Sequence, residues 1–294
     1  MPAQGALRVV TERKLDALLA AGGAGRRLEA SGVCVKGGSL FVVFDNLRDV
    51  GKLPPDLQGP GTLIPHRRRE ASDFEDITAD DQYFYVVVER ADKVNGDYYS
   101  EVLTFDDSFD VVNRELLEVP LEHRNKLFEG LAHVRRGGRD YLLALCEGNR
   151  CKGGAEGAAP GGGRVHIFRR RDDAGKRRWR HVGRMRLPAA LPFEDYAGLD
   201  VAGDRIAVVS QQSAALWIGT LAGGAWRVAG DGLVYPFPRD AAGHALYGAV
   251  EGVAWLGGDR VVLVSDRVDP AGGTAPQRRR DQSVHVFDLL PAGA

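Results

Sequence analysis

The chain has 294 residues, 44% of them hydrophobic, and its 39 basic and 40 acidic residues give a formal net charge of −1. This size allows one large domain, and the balanced charge argues against a nucleic-acid-binding or membrane-surface protein. No apolar run approaches the roughly 18 residues of a membrane span, and the N-terminus lacks an apolar signal core. The cysteines, Cys34, Cys146 and Cys151, are odd in number. We therefore expect a soluble, cytoplasmic protein in a reducing compartment.

Five similar segments follow one another along the chain. They begin at Ser31, Glu75, Glu129, Glu194 and Glu251. Each segment reads as a short strand, a tight turn of Gly or Asp residues, and a continuous apolar strand. These apolar strands cover residues 40–44, 83–88, 141–145, 206–209 and 261–264. Continuous apolar runs are typical of strands that are covered on both faces.

Weaker alternating strands lie between the repeats, at residues 101–105, 164–168 and 215–219. Two inner strands with one or two outer strands make a propeller blade, and the repeat spacing matches that architecture. We predict one all-β domain over residues 1–294, a β-propeller of five blades. A sixth blade without the motif and a β-sandwich are the alternatives.

The two ends of the chain also carry strand patterns, at residues 7–10 and 283–287. If both strands belong to one blade, they close the ring and leave no open sheet edge. The segment 152–163 is rich in Gly and Ala, and we predict a flexible surface insertion there.

The first residue of each innermost strand would recur around the mouth of the central channel. A carboxylate ring is therefore predicted from Glu75, Glu129, Glu194 and Glu251. Crowded carboxylates cannot all ionise cheaply unless a cation neutralises them, and oxygen-rich sites suit calcium. The competing explanation is structural, with each glutamate accepting backbone N–H groups of the neighbouring blade and locking the ring.

A second ring is predicted where the apolar strands end, at Asp45, Glu89, Glu147, Gln211 and Asp266. Candidate substrate-binding residues are Glu147 and Asp266 of this ring and two following arginines, Arg90 and Arg267. The arginines would hold an anionic substrate or pair with neighbouring acids. His133 shares a strand face with Glu129, so these two residues are the candidates for proton transfer. The alternative for His133 is an interior residue with satisfied hydrogen bonds.

The repeat resembles known propeller hydrolases. The pattern from Glu251 to Trp255, followed by Val264 to Asp266, is similar to the gluconolactonase and regucalcin family. The pattern from Glu129 to Leu131, followed by Tyr141 to Asn149, resembles a blade of the β-propeller phytases, and the recurring acidic turn looks most like bacterial esterase-like phytases. The resemblance implies calcium at the channel and hydrolysis of an ester, lactone or phosphate. The chain departs from the pattern at Ser31, and it has no matching phosphate-binding cluster of Lys and Arg.

Two functions therefore stay open. The first is a calcium-dependent hydrolase that acts on a small molecule in the channel. The second is a non-catalytic propeller that binds a protein partner or small ligand through the loops 46–72, 148–163 and 267–282. Nucleic acid and membrane are not expected as partners. The pair Cys146 and Cys151 is expected to be two thiols rather than a zinc site, because no further Cys or His stands at a suitable spacing.

Overall fold

The computed structural model of the chain describes residues 2–19, 27–65, 73–89, 93–124, 126–173 and 176–291. Its strands form five sheets, each of four or five strands. The chain opens with strands β1 (Ala3–Gln4) and β2 (Ala6–Lys14) and the short helix α1 (Leu15–Leu19). Within the described ranges, no helix is long and apolar enough to cross a bilayer.

The first three blades are antiparallel meanders that run outwards from the innermost strand. Blade 1 contains β3 (Ala30–Lys36), β4 (Ser39–Phe44), β5 (Val50–Leu53) and β6 (Thr62–Ile64). Blade 2 contains β7 (Phe74–Ala79), β8 (Phe84–Glu89), β9 (Ser100–Phe105) and β10 (Val111–Leu116). Blade 3 contains β11 (Phe128–Arg136), β12 (Arg139–Cys146), β13 (Arg164–Asp173) and β14 (Lys176–Arg186). A 3₁₀ turn (Asn149–Cys151) and helix α2 (Gly154–Ala158) follow β12.

The last two blades involve the N-terminal strands. Blade 4 contains β15 (Gly198–Ala202), β16 (Arg205–Ser210), β17 (Ala215–Leu221) and β18 (Val228–Pro236), and β1 pairs with β18 in parallel. Blade 5 contains β19 (Val250–Gly257), β20 (Arg260–Ser265) and β21 (Ser283–Leu290), with helix α3 (Ala275–Arg280) before β21. Its outermost strand is β2, which pairs antiparallel with β21. The predicted ring closure by the two ends of the chain is thereby confirmed.

The five innermost strands pack side by side around a central axis in the order β3, β7, β11, β15 and β19, and β19 contacts β3 again. The hydrophobic core is divided among the interfaces between neighbouring blades; one cluster, for example, joins Val134 and Leu145 of blade 3 to Leu199 and Val208 of blade 4. The predicted all-β propeller of five blades is confirmed.

Glycine near the start of an inner strand lets neighbouring blades approach closely. A Cβ on Gly32 would lie 2.6 Å from the Cα of Asp76, and a Cβ on Gly130 would lie 2.8 Å from the Cβ of Leu199. A Cβ on Gly252 would lie 2.9 Å from the Cα of Gly32. Backbone atoms cannot move aside cheaply at such distances, so the glycine of the repeated motif is a requirement of ring packing.

The segment 152–163, predicted as a flexible insertion, contains α2 and is tied to the buried side chain of Asn149. The amide nitrogen of Asn149 donates to the carbonyl of Gly157 at 3.0 Å, and its oxygen accepts the N–H of Gly162 at 2.8 Å. These bonds attach the segment to Asn149 at Gly157 and Gly162, and its flexibility stays a prediction.

Candidate functional site

An acidic cavity of about 480 Å³ opens where the innermost strands begin. It is lined by Asp45, Asp73, Glu75, Glu89, Arg124, Lys126, Glu129, Glu147, Asp195, Ala197, Gln211, Glu251 and Asp266. Nine of these thirteen residues are acidic and two are basic. The described lining has no apolar side chain larger than alanine, so the cavity suits a cation or a strongly polar ligand.

A β-bulge turns three glutamates into this cavity. In blade 3 the pairing skips from Phe128 with Cys146 to Gly130 with Leu145, which leaves Glu129 as the extra residue. The same irregularity occurs at Glu75 in blade 2 and at Glu251 in blade 5. Bulges re-aim side chains and are frequent next to functional sites. The sequence pattern located these glutamates, but it gave no sign of the bulge.

The second predicted ring also lies at this cavity. The last residue of β8 and the residues that follow β4, β12, β16 and β20 line it together: Asp45, Glu89, Glu147, Gln211 and Asp266. Two further acids, Asp73 and Asp195, stand two residues before the inward-facing position of their blades. The sequence pattern did not identify either acid as a cavity residue, although each stands two positions before the inward-facing residue of its blade.

The predicted position of Glu194 in the ring is wrong. Inner strand β15 starts at Gly198, so Ala197 is the residue of blade 4 that corresponds to Glu129 and faces the cavity. Glu194 is exposed and lies outside the cavity, while its neighbour Asp195 is buried and lines it. In blades 1, 3 and 5 the glycine directly follows the first residue of the motif, but in blade 4 three residues separate Glu194 from Gly198. Aligning the repeats on the glutamate therefore placed the wrong residue of blade 4 in the ring.

Burial and mutual repulsion raise the pKa of the carboxyl groups in the cavity. The pKa of Glu75, Glu129 and Glu251 is well above the ordinary value, mainly because of burial and then because of neighbouring acids. Burial is also the main cause that raises the pKa of Glu89 to about 7 and that of Asp266 to about 7. In the absence of a cation, several of these groups hold protons at neutral pH.

Three carboxyl groups converge closely. Glu75, Glu89 and Glu129 each offer an oxygen, and these oxygens lie within 4.8 Å of one another. Burial raises the pKa of Glu75 most, and the neighbouring carboxyl group of Glu129 offsets part of this effect. Two oxygens that bind one calcium ion are separated by at most about 4.8 Å, because each Ca–O bond is about 2.4 Å long. The donor set therefore fits a calcium ion in both chemistry and spacing.

Basic and amide groups offset part of the negative charge of the cavity. The ammonium group of Lys126 forms an ion pair with Glu147, and the amide nitrogen of Gln211 donates to Glu251 at 3.1 Å. Blade 4 contributes Ala197 and Gln211 where the other blades present mostly carboxylates. Blade 4 still adds the carboxylate of Asp195, just as blade 1 adds that of Asp45, so the described acidic lining is thinner at these two blades.

His133 and Glu129 do not form one site. His133 is four residues further along β11, about 13 Å along the strand, and it lines a different cavity of about 640 Å³. Its ring stacks on Tyr85, and its Nε2 lies 3.4 Å from a carboxylate oxygen of Asp140. The prediction of joint proton transfer is wrong because the strand carries the two side chains to different levels of the channel.

Of the two predicted arginines, Arg267 does not provide an anion site in the cavity. Arg267 is half-buried and is not among the lining residues, although its backbone N–H donates to Asp266. Arg90 lies outside the described residues. The basic residues that do line the cavity are Arg124 and Lys126, which the repeat pattern did not single out.

The locking of neighbouring blades, which we considered as a role for the glutamates, is performed by two other acids. The buried carboxylate of Asp76 accepts the N–H of Leu131 at 2.8 Å, and that of Asp200 accepts the N–H of Trp255 at 2.8 Å. Burial raises the pKa of Asp200 to about 6. These bonds join blade 2 to blade 3 and blade 4 to blade 5, so locking does not account for the inward-facing glutamates.

A serine–histidine pair in blade 5 is arranged like the nucleophile and base of a hydrolase, but it is not accessible to a substrate. Ser265 Oγ lies 2.8 Å from Nε2 of His285, whose Nδ1 lies 3.6 Å from a carboxylate oxygen of Glu12. Ser265 and His285 are completely buried, and neither lines a described cavity. A substrate cannot reach this serine, so we assign the pair to the packing of the blade.

Cys146 and Cys151 form a disulfide, with Cα atoms 5.2 Å apart. The prediction of two thiols is wrong, because the turn Asn149–Cys151 brings the chain back onto the end of β12. A disulfide is also at odds with the expected reducing compartment. Cys34 is buried and unpaired.

Solved structures that resemble the chain share its propeller fold. Glutaminyl cyclase of Myxococcus xanthus has 13% sequence identity and a TM-score of 0.55, with 99% of this chain and 100% of that chain covered. The GH43_1 enzyme from Xanthomonas citri, complexed with xylotriose, has 12% identity and a TM-score of 0.52, with 97% and 92% covered. At such identities the likeness establishes the fold alone.

A third similar structure is CoXyl43, a GH43 β-xylosidase/α-arabinofuranosidase from a compost microbial metagenome, with 11% identity, a TM-score of 0.50, and 97% and 94% of the two chains covered. No protein-family model matches the sequence, and no curated protein is detectably similar to it. The resemblance to phytases and gluconolactonases therefore stays a prediction.

Proposed function

We propose that the acidic cavity binds calcium and that the protein hydrolyses an ester, lactone or phosphate ester there. The observation that carries the proposal is the convergence of Glu75, Glu89 and Glu129, whose oxygens lie within 4.8 Å of one another. Their raised pKa values mean that the ionised form of these carboxyl groups is poorly stabilised without a cation. A calcium ion bound there would polarise the bond to be cleaved and neutralise developing negative charge.

The cavity also supplies a proton acceptor. Asp266 lines the cavity from blade 5, and Glu75, Glu89 and Glu129 belong to blades 2 and 3. A carboxyl group with a pKa of about 7 is well suited to proton transfer at neutral pH. We therefore assign Asp266 the role of general base for the attacking water, in place of His133.

The substrate has a route to this position from blade 4. A groove of about 200 Å³ adjoins the cavity, and both are lined by Lys126, Glu147 and Asp195. Lys152, from the segment 152–163, also lines the groove. Both lysines are paired with carboxylates, Lys126 with Glu147 and Lys152 with Glu122, so the groove is polar without being basic. A substrate bound in it would place its reacting group in the cavity beside Ala197 and Gln211.

Calcium binding is tested first, by calorimetric titration of chelator-treated protein near neutral pH. We expect saturable binding and a raised melting temperature, both lost or weakened at least tenfold in Glu75→Gln and Glu129→Gln. Glu194→Gln is the matched control, because this exposed glutamate lies outside the cavity. Equal calcium affinity in all four proteins would contradict the proposal.

Hydrolysis is tested on a panel of small carboxylic esters, lactones and phosphomonoesters, with and without calcium. We expect activity on at least one class, which a chelator removes and calcium restores. Asp266→Asn should lower kcat at least a hundredfold while the variant still binds calcium and stays folded. Activity that is unchanged by the chelator or by Asp266→Asn would exclude this mechanism.

The second candidate is a propeller that binds a small ligand or a protein partner without turnover. The groove built by the segment 152–163 favours it, since ordered loops on a rigid scaffold commonly carry recognition. Binding of calcium without hydrolysis of any substrate class, together with a ligand or partner whose affinity falls in Lys152→Ala, would support this second function.

A further inference from the structure

A cluster of sulfur and imidazole groups lies outside the acidic cavity, at the end of β12. Sγ of Cys146, Sγ of Cys151 and Nε2 of His166 all lie within 4.8 Å of one another. Cys146 is completely buried, His166 is 6% exposed and Cys151 is half-buried. Neither the disulfide nor the proposed hydrolysis uses the imidazole of His166.

A hydrogen bond with a second histidine orients this imidazole. Nε2 of His181 lies 3.1 Å from Nδ1 of His166, so one of these two nitrogens donates its proton to the other. When His166 is the donor, its Nε2 carries a lone pair that faces Cys151, with Sγ at 3.6 Å.

This separation matches a zinc site. A thiolate sulfur and an imidazole nitrogen bound to one tetrahedral zinc ion lie about 3.5 Å apart, given bonds of about 2.3 and 2.0 Å. A histidine that donates its other nitrogen to a fixed partner is also the common arrangement at zinc sites. Three protein ligands leave a fourth position for water, which can approach on the half-exposed side of Cys151.

We propose that Cys146, Cys151 and His166 form a redox-dependent zinc site, closed as a disulfide when oxidised and open to zinc when reduced. A dithiol reductant would supply two electrons and two protons, which cleave the S–S bond to two thiols while the reductant forms its own disulfide. The two thiols then lose their protons when they bind zinc. The two states exclude each other, because a disulfide sulfur is not a thiolate ligand.

The turn between the cysteines can accommodate both states. Arg150 and Cys151 both have positive φ, at 59° and 58°, a conformation that residues other than glycine rarely adopt. On reduction the two sulfur atoms need to separate to only about 3.8 Å to bind one zinc ion. A small adjustment of this turn is enough to reach that separation. The buried amide of Asn149 can keep its hydrogen bonds to the carbonyl groups of Gly157 and Phe193.

The test uses the full-length protein reduced with a phosphine, and cobalt(II) as the spectroscopic probe. We expect one cobalt ion per chain with a thiolate-to-cobalt absorption band that zinc abolishes, and no band in the oxidised protein. Cys151→Ser and His166→Phe should remove or strongly weaken the band, and His181→Phe should lower affinity roughly 10–100-fold. Cys34→Ala is the control and should keep the band. A reduced, folded protein without the band would overturn the proposal.

A second measurement needs no variant and remains informative if Cys151→Ser fails to fold. Zinc should slow the alkylation of Cys146 and Cys151 in the reduced wild-type protein, as peptide mass spectrometry would detect, and should leave the alkylation of Cys34 unchanged. Alkylation of the pair at the same rate with and without zinc would overturn the site. Neither measurement depends on calcium or on hydrolysis, so the outcome is separate from that of the proposed function.

Discussion

Glu129 and Gly130 are neighbours in the repeated motif, but the structure gives them separate functions. The glycine lets the inner strands approach, whereas the glutamate faces the cavity at a bulge. The sequence predicted that the acids gather at one place, because they recur at one strand position. It could not predict which acids lock the blades, because Asp76 and Glu75 are adjacent and only the bulge decides which of them faces the cavity.

Gly130→Ala should destabilise the protein by about 1–3 kcal/mol, the usual cost of forcing extra atoms into a packed core. The new Cβ would lie 2.8 Å from the Cβ and 2.9 Å from the backbone nitrogen of Leu199. Gly223→Ala is the matched control, because nothing lies within 4 Å of its Cβ position. The free energy of unfolding in urea measures both. Equal stability of the two variants would disprove the close-approach argument.

Asp76→Ala should also destabilise the protein, by about 1–3 kcal/mol for each buried N–H group that loses its partner. The carboxylate accepts from the backbone of Leu131 and Ile77, both at 2.8 Å. Asp204→Ala, on the exposed turn between β15 and β16, is the comparison. If thermal unfolding gives the same melting temperature for both variants, Asp76 does not lock blades 2 and 3.

At the scale of elements, the strands were largely predictable and the connections were not. Continuous apolar runs identified the second strand of every blade, because those strands are covered on both faces. The fourth inner strand was misplaced because the acid and the glycine of its repeat are separated by extra residues. The disulfide was missed because it depends on the path of the turn after β12, which composition does not determine.

The acidic cavity should make stability depend on pH when calcium is removed. Glu89 and Asp266 have pKa values of about 7 in the folded protein, against ordinary values of 4.5 and 3.8. A raised pKa means that the folded state holds its proton longer than the unfolded state, so stability falls as pH rises from about 4 to above 7.

The melting temperature of chelator-treated protein should therefore decrease from pH 5 to pH 8, and saturating calcium should reduce that decrease. Glu89→Gln should flatten the profile, whereas Glu194→Gln should leave it unchanged. A melting temperature that rises over this range without calcium would contradict the assigned pKa shifts.

At the scale of the whole molecule, the ring is closed by strands from opposite ends of the chain. The pairing of β2 with β21 completes blade 5, and an ion pair of 2.7 Å joins Arg8 to Asp288. This closure was predictable because a propeller with an open edge would expose unpaired backbone groups. The additional parallel pairing of β1 with β18 was not predictable, because a strand of two residues has no recognisable sequence pattern.

Deletion of residues 1–14 should remove β2, expose the edge of β21 and cause a large loss of stability with self-association. Deletion of residues 1–4 removes only β1 and should leave a monodisperse, folded protein if the ring depends on β2. Size-exclusion chromatography and thermal unfolding compare the two. Similar behaviour of both truncated proteins and the full-length protein would show that closure by β2 is dispensable.

We propose the mouth of the propeller channel as a hard-cation site. It is tested most directly by a crystal structure of the protein soaked with terbium, a calcium substitute that is visible by its anomalous scattering. We predict an anomalous peak in the acidic cavity, within bonding distance of Glu75, Glu89 and Glu129, that calcium displaces. A saturated crystal with no peak in this cavity, or with peaks only at surface acids, would contradict the account.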